Sequence, residues 1–129
     1  MAKKWLWIGR VLTWLPCLFL LTGGVNMMFI RSADLRTGFA KFGYPENVIP
    51  WLGAAVFIGA LLCLIPRTAV LGAIVMTGYL GGAIATHVRM NDPTFWSPLL
   101  VGIVLWLGLY LQDERVRSLL PVRRAAETT

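Results

Sequence analysis

Residues 48–86 read VIPWLGAAVFIGALLCLIPRTAVLGAIVMTGYLGGAIAT, and this stretch decides the fold. It holds two apolar runs, Val48 to Ile65 and Thr68 to Thr86, with only Pro66 and Arg67 between them. A helix needs roughly 20 apolar residues to cross a hydrocarbon core about 30 Å thick, and within that core its backbone polar groups must be satisfied internally. The two runs therefore read as membrane helices. A connection this short leaves no slack, so they are antiparallel neighbours. Thr68 stands where a residue would cap the second helix.

Working outward, two more runs of the same character appear, Trp5 to Phe29 and Phe95 to Leu111. Of the 129 residues, 57% are hydrophobic and 14% charged, and the charges gather between the runs, which excludes an ordinary water-soluble domain. The fold class is all-α: an integral membrane four-helix bundle with antiparallel up-down topology. The whole chain, 1–129, reads as a single transmembrane domain, with spans at about 5–29, 48–65, 68–86 and 95–111. Pro16 falls inside the first run, removes a backbone hydrogen bond and predicts a kink. Asp92 followed by Pro93 is a start signal for the fourth helix, the carboxylate accepting free N–H groups and Pro occupying the first turn.

The opening Lys3 and Lys4 before an apolar run invite a signal-peptide reading. The run is longer than the roughly 7 to 15 residues of a signal core, and Thr22 to Gly24 lack an A-x-A pattern and lead into the apolar 25–30, so an uncleaved anchor is expected. Of the twelve Lys and Arg, eight fall at the N-terminus, the Pro66–Arg67 turn and the tail: Lys3, Lys4, Arg10, Arg67, Arg115, Arg117, Arg123 and Arg124. By the positive-inside rule both termini face the cytoplasm, and Arg10 snorkels to the inner surface. The net charge of +6 is then explained by basic flanks beside anionic lipid, the expected partner, and needs no nucleic acid.

In the first long connection Leu35, Phe39 and Phe42 fall on one helical face. Ser32 can cap a half-helix over about 33–42, and Gly43, Tyr44 and Pro45 end it. It reads as lying on the outer surface, as a belt sealing the bundle mouth or as a flap facing a substrate. At the other end, 112–129 reads as a basic cytoplasmic tail with an interfacial anchor, and 125–129 as frayed.

Small residues recur at four-residue spacing: Ala55, Gly59 and Cys63 on one span, Gly78, Gly82 and Thr86 on the next, with Ala73, Thr77, Gly81 and Ala85 as a second stripe. In lipid such residues let helices approach closely, building the monomer or, alternatively, a face for a homo-oligomer. Polar side chains gather at the outer ends of the spans: Thr22 and Asn26, then His87, Arg89, Asn91 and Asp92, with Arg31, Asp34 and Arg36 in the connection. Threading brings them to one mouth, and His87, Arg89, Asn26 and Thr22 are the candidate ligand pocket. His87 can move a proton near neutral pH or bond a carbonyl such as a quinone's, or simply end its helix.

Cys17 and Cys63 invite a thiol-disulfide reading. At ~1.5 Å per residue Cys17 lies about 18 Å from the inner end of its span and Cys63 about 3 Å from its own, so depth predicts that the two do not pair in a disulfide. There is no C-x-x-C, no metal-ligand spacing, no phosphate-binding loop and no nucleophile with a base, so neither a metal nor a catalytic residue is assigned. Nor does any span hold Asp or Glu, which counts against the proton-coupled small multidrug exporters of similar size.

The stretches Gly43 to Glu46, Ile65 to Gly72, Tyr79 to Ala83, Thr86 to Arg89 and Trp106 to Leu111 resemble the DoxX-like family of small bacterial four-span membrane proteins. The likeness is strongest from Phe39 to Asp113. It implies a bacterial inner-membrane protein near quinone or thiol redox, since the family takes its name from a subunit associated with thiosulfate:quinone oxidoreduction and other members are linked to oxidative-stress complexes. It also places His87 and Arg89 at the polar end of the family's third span, and Gly81 and Gly82 in its packing motif. Relatives commonly carry a Lys near the position of Met27 and a Glu near that of Val56. Both are apolar here, so chemistry that needs that pair is in doubt. The expectation is an accessory subunit of a membrane redox system, with a protein partner and a quinone or other small apolar ligand at the outer mouth. A small-molecule transporter or a purely structural subunit is the alternative.

Overall fold

The computed structural model describes residues 3–123, so Arg124 and the tail expected to fray lie outside the described residues. The elements are α1 (Lys3–Val25), continued by a π turn (Asn26–Ile30), α2 (Ala33–Lys41), α3 (Ile49–Leu64), α4 (Ala69–Arg89), α5 (Trp96–Gln112) and a short α6 (Glu114–Leu119). Helix α1 runs unbroken through Pro16. Four helical stretches are long and apolar enough to span a membrane. They pack as a square in which α1 and α4 each lie against both α3 and α5. Neighbours are antiparallel. One end of the bundle, the tail end, holds the start of α1 and the α3–α4 turn. The other, the flap end, holds α2.

The outer surface is apolar: Phe19, Trp51 and Ile74 are all more than half exposed, which would be a liability in water and is solvation in lipid. The core is built of small and flexible residues, including Ala60, Ala73, Met76 and Leu105, all fully buried. Met27 and Val56 are buried as well.

Glycine decides how close the helices come. A Cβ on Gly108 of α5 would collide with the Thr13 hydroxyl and lie 2.8 Å from the Gly9 carbonyl of α1. One on Gly53 of α3 would sit 2.6 Å from the Met27 Cβ and 3.0 Å from the Gly24 carbonyl. One on Gly72 of α4 would meet the Cys63 backbone nitrogen at 2.5 Å. With no hydrophobic effect acting between helices in lipid, such contacts are the packing force.

The loops follow the caps in two of three places. Ser32 accepts the Leu35 N–H at 3.4 Å, and Asp92 accepts both the backbone N–H and the hydroxyl of Thr94 at 2.8 and 2.6 Å. Those Thr94 bonds hold the Asp92 carboxyl below the usual carboxylate range. Thr68 differs from expectation. Its hydroxyl donates backward to the Leu62 carbonyl at 2.9 Å instead of capping α4. A 3-10 turn over Pro66–Thr68 folds the chain back under the end of α3, where unpaired carbonyls are in reach.

The two cysteines lie nearer in depth than their distances from the span ends imply. Cys17 and Cys63 are both buried free thiols packed in one core cluster, with no disulfide between them. The estimate assumed that the spans end flush. Instead α1 and its π turn form 28 helical residues, about 42 Å long and more than a core of about 30 Å requires. Gly9 already lies against Gly108 and Gln112 near the end of α5, so Lys3 to Ile8 overshoot the bundle.

Because backbone stands in the way and cannot yield, Gly72→Ala and Gly108→Ala are each expected to cost about 1–3 kcal/mol. Gly23→Ala, whose Cβ would meet nothing within 4 Å, should leave stability unchanged or slightly raised. Thermal unfolding of the three variants in lipid nanodiscs checks the contrast.

Candidate functional site

Helix α2 is made by its ends. At its start the Asn26 side chain accepts the Ser32 N–H at 3.2 Å and donates to the Ser32 hydroxyl at 3.5 Å, while Ser32 caps the helix. At its finish Gly43, at φ +86, occupies the left-handed position that favours glycine, and the N–H groups of Gly43 and Tyr44 return to the carbonyls of Ala40 and Phe39. No residue of α2 is buried. Two bonds tie the end of this flap to α4. The Tyr44 hydroxyl lies 2.6 Å from the Thr86 hydroxyl, and Arg89 donates to the Phe42 carbonyl at 2.9 Å. Thr86 already gives its proton to the Gly82 carbonyl, so Tyr44 is the donor in their pair.

Beneath the flap lies a cavity of about 500 Å³ between α2 and α4. The predicted apolar face of α2, Leu35, Phe39 and Phe42, forms one wall. Gly78, Tyr79, Gly82 and His87 of α4 line the other. Asp34, Tyr44, Leu52 and Thr86 also contribute. A Cβ on Gly78 or Gly82 would meet nothing within 4 Å, so here the glycines make room where those of the seams make contact.

His87 is fixed from two sides. Its ring stacks at a tilt on Phe42, with centroids 4.7 Å apart, and its Nδ1 lies 2.7 Å from the Ala83 carbonyl. A carbonyl only accepts, so Nδ1 carries the proton and Nε2 of the neutral ring is left as an acceptor. Tyr79 stands two turns earlier on the same helix, about 12 Å along its axis, and brings a hydroxyl that can donate. The cavity therefore pairs an apolar body with a few polar groups, the His87 ring, the Tyr79 hydroxyl and the Asp34 carboxylate among them, the usual composition of a small-molecule site.

Of the four residues predicted to form the pocket, His87 lines the cavity. Arg89 is exposed and tethers the flap. Asn26 braces the other end of α2 and does not line the cavity. Thr22 donates to the Phe19 carbonyl of its own helix on an exposed face, away from the cavity. Sequence reasoning did not assign Tyr44, Tyr79, Gly78 or Gly82 to the pocket. Gly78 and Gly82 were visible as a small-residue stripe, which reads the same whether it meets a helix or a cavity.

The family model described as the DoxX-like family matches residues 11–109, a range that includes every residue lining the cavity. No curated protein and no solved structure matches the chain.

The Tyr44 to Thr86 bond is worth about 1 kcal/mol, so Tyr44→Phe should raise amide hydrogen exchange across Ala33 to Gly43 about fivefold. Exchange in the middle of α4 should not change. Combining Tyr44→Phe with Arg89→Ala should loosen the flap further, and exchange read by mass spectrometry checks both.

Proposed function

Because the chain belongs to the DoxX-like family, we propose that it is a non-catalytic accessory subunit of a membrane redox system that holds a small apolar molecule of the quinone or quinol class beneath α2. The observation that carries this reading is the flap-end cavity, about 500 Å³ and walled largely by aromatic and aliphatic side chains and glycine, with the Nε2 of His87 at one end. Neutral His87 accepts a hydroxyl proton, which suits the reduced, quinol form. Protonated His87 donates, which suits a quinone carbonyl.

Orientation follows from charge. Among the described residues Lys3, Lys4, Arg10, Arg67, Arg115, Arg117 and Arg123 belong to the tail end, and Arg31, Arg36, Lys41 and Arg89 to the flap end. The proposal accordingly sets the tail end in the cytoplasm of a bacterial cell and the cavity at the outer leaflet of the inner membrane. A membrane-embedded partner would then exchange ligand with it from the lipid side.

Native mass spectrometry of the protein extracted gently from its own membrane, followed by titration with a short-chain benzoquinol, tests the proposal. A retained quinone or quinol, bound about tenfold more weakly by His87→Ala through loss of one hydrogen bond, would support it. Gly82→Leu should fill the cavity and abolish retention with little change in melting temperature, since nothing within 4 Å opposes a Cβ there. A protein that carries no such molecule and binds none in the titration would sink the reading.

A further inference from the structure

The tail end contains a second cavity of about 240 Å³, separate from the one under the flap. Its walls include Leu6, Arg10 and Trp14 of α1, Cys63 of α3, and Gln112 at the end of α5. Cys63 is therefore buried but faces a space, whereas Cys17 is fully buried and does not line it.

The meeting of the two thiols follows from helix register. The seam between α1 and α3 is fixed where a Cβ on Gly53 would sit 2.6 Å from the Met27 Cβ. In an antiparallel pair, steps back along one helix match steps forward along the other. Ten residues back from Met27 is Cys17, and ten forward from Gly53 is Cys63. That register sets Cys17 opposite Cys63, and both thiols belong to one buried core cluster. Facing positions on two antiparallel helices in close contact are the placement that a disulfide across the seam requires.

We propose that Cys17 and Cys63 form a redox-active dithiol which a small hydroperoxide, entering through the tail-end cavity, oxidises to a disulfide joining α1 to α3. Cys63 reacts first because it faces the cavity. Its sulfur attacks one peroxide oxygen, the O–O bond breaks, and the departing alkoxide takes the Cys63 proton and leaves as an alcohol. Cys63 is then a sulfenic acid. The Cys17 sulfur attacks that sulfur, the S–S bond forms, the S–O bond breaks, and hydroxide leaves as water with the Cys17 proton. Two thiols and one hydroperoxide thus give one disulfide, one alcohol and one water. Arg10 and Arg115 line the cavity together with Asp113 and Glu114, and Arg115 pairs with Asp113 at 3.5 Å; the Arg10 guanidinium is the group that can meet negative charge developing on the leaving oxygen. The apolar Leu6 and Trp14 beside it suit the organic part of a lipid-derived hydroperoxide. This dithiol is independent of ligand binding under the flap.

The test uses the full chain in lipid nanodiscs, reduced and then exposed without air to one equivalent of cumene hydroperoxide. Samples are denatured, capped with N-ethylmaleimide and weighed intact. The expected result is a protein that has lost two hydrogens, accepts no maleimide, stays monomeric on a non-reducing gel, and has released one cumyl alcohol. Cys17→Ser should stop at the sulfenic acid, trapped on Cys63 by dimedone. Cys63→Ser should leave Cys17 oxidising at least about tenfold more slowly, because access governs thiol reactivity. Two free thiols persisting in the unaltered protein would overturn the proposal without reliance on any variant. So would a disulfide between two chains, or equal rates in the two single variants.

Discussion

Close contact of backbone with backbone at glycine is the constraint on which the bundle depends. In water a helix pair can be loose at its seam and still be held by expulsion of solvent, but in lipid the surrounding tails are as apolar as the seam. The helices must touch to gain anything. They do so where Gly9 faces Gly108, where Gly24 faces Gly53, and where Gly72 reaches the Cys63 backbone. Each crossing ties two helices at a fixed height as well as a fixed distance. The relative depth of every other residue follows, which is how Cys17 and Cys63 come to lie side by side although they sit at quite different distances from the ends of their own helices.

Hydroxyls supply the second means of attachment. Thr77 and Thr86 each give a proton to the carbonyl four residues earlier in α4, which leaves their oxygens free to accept from another element. Trp106 of α5 donates to Thr77 at 2.7 Å, and Tyr44, just beyond the flap, to Thr86. At the tail end Gln112 of α5 donates to Thr13 of α1 at 2.8 Å. A threonine used in this way satisfies itself within its helix and offers one lone pair outward, so it can join helices without leaving an unpaired group in hydrocarbon. Among the described residues no buried side-chain nitrogen or oxygen lacks a partner.

The architecture was legible because its signals are one-dimensional. Run length, the two-residue turn at Pro66 and Arg67, and the Ser32 and Asp92 caps each speak about neighbours in sequence. The apolar face of α2 was equally plain from Leu35, Phe39 and Phe42. What could not be read were relations between helices. Thr22 and His87 were both placed at the same mouth by depth, but depth says nothing about direction around a helix axis, and Thr22 points outward while His87 points beneath the flap. The cysteine estimate failed for a related reason: it measured each residue from the apparent end of its own apolar run, and α1 overshoots the others.

The same residue type closes one part of the bundle and opens another. Gly72, near the start of α4, has no room for a methyl group, and Gly78 and Gly82 further along the same helix have open space. The difference lies in what α4 faces. Against α3 at the tail end it meets a main helix at contact distance, whereas toward the flap it meets α2, which has no buried residue and is held at its ends instead of along its length. A short helix tethered in that way cannot be drawn down onto α4 by packing alone, because the tethers from Asn26, Tyr44 and Arg89 fix its height. The space beneath it persists for that reason, and glycine on the facing wall keeps it wide. A larger residue at Gly82 would therefore cost the bundle little and the cavity much.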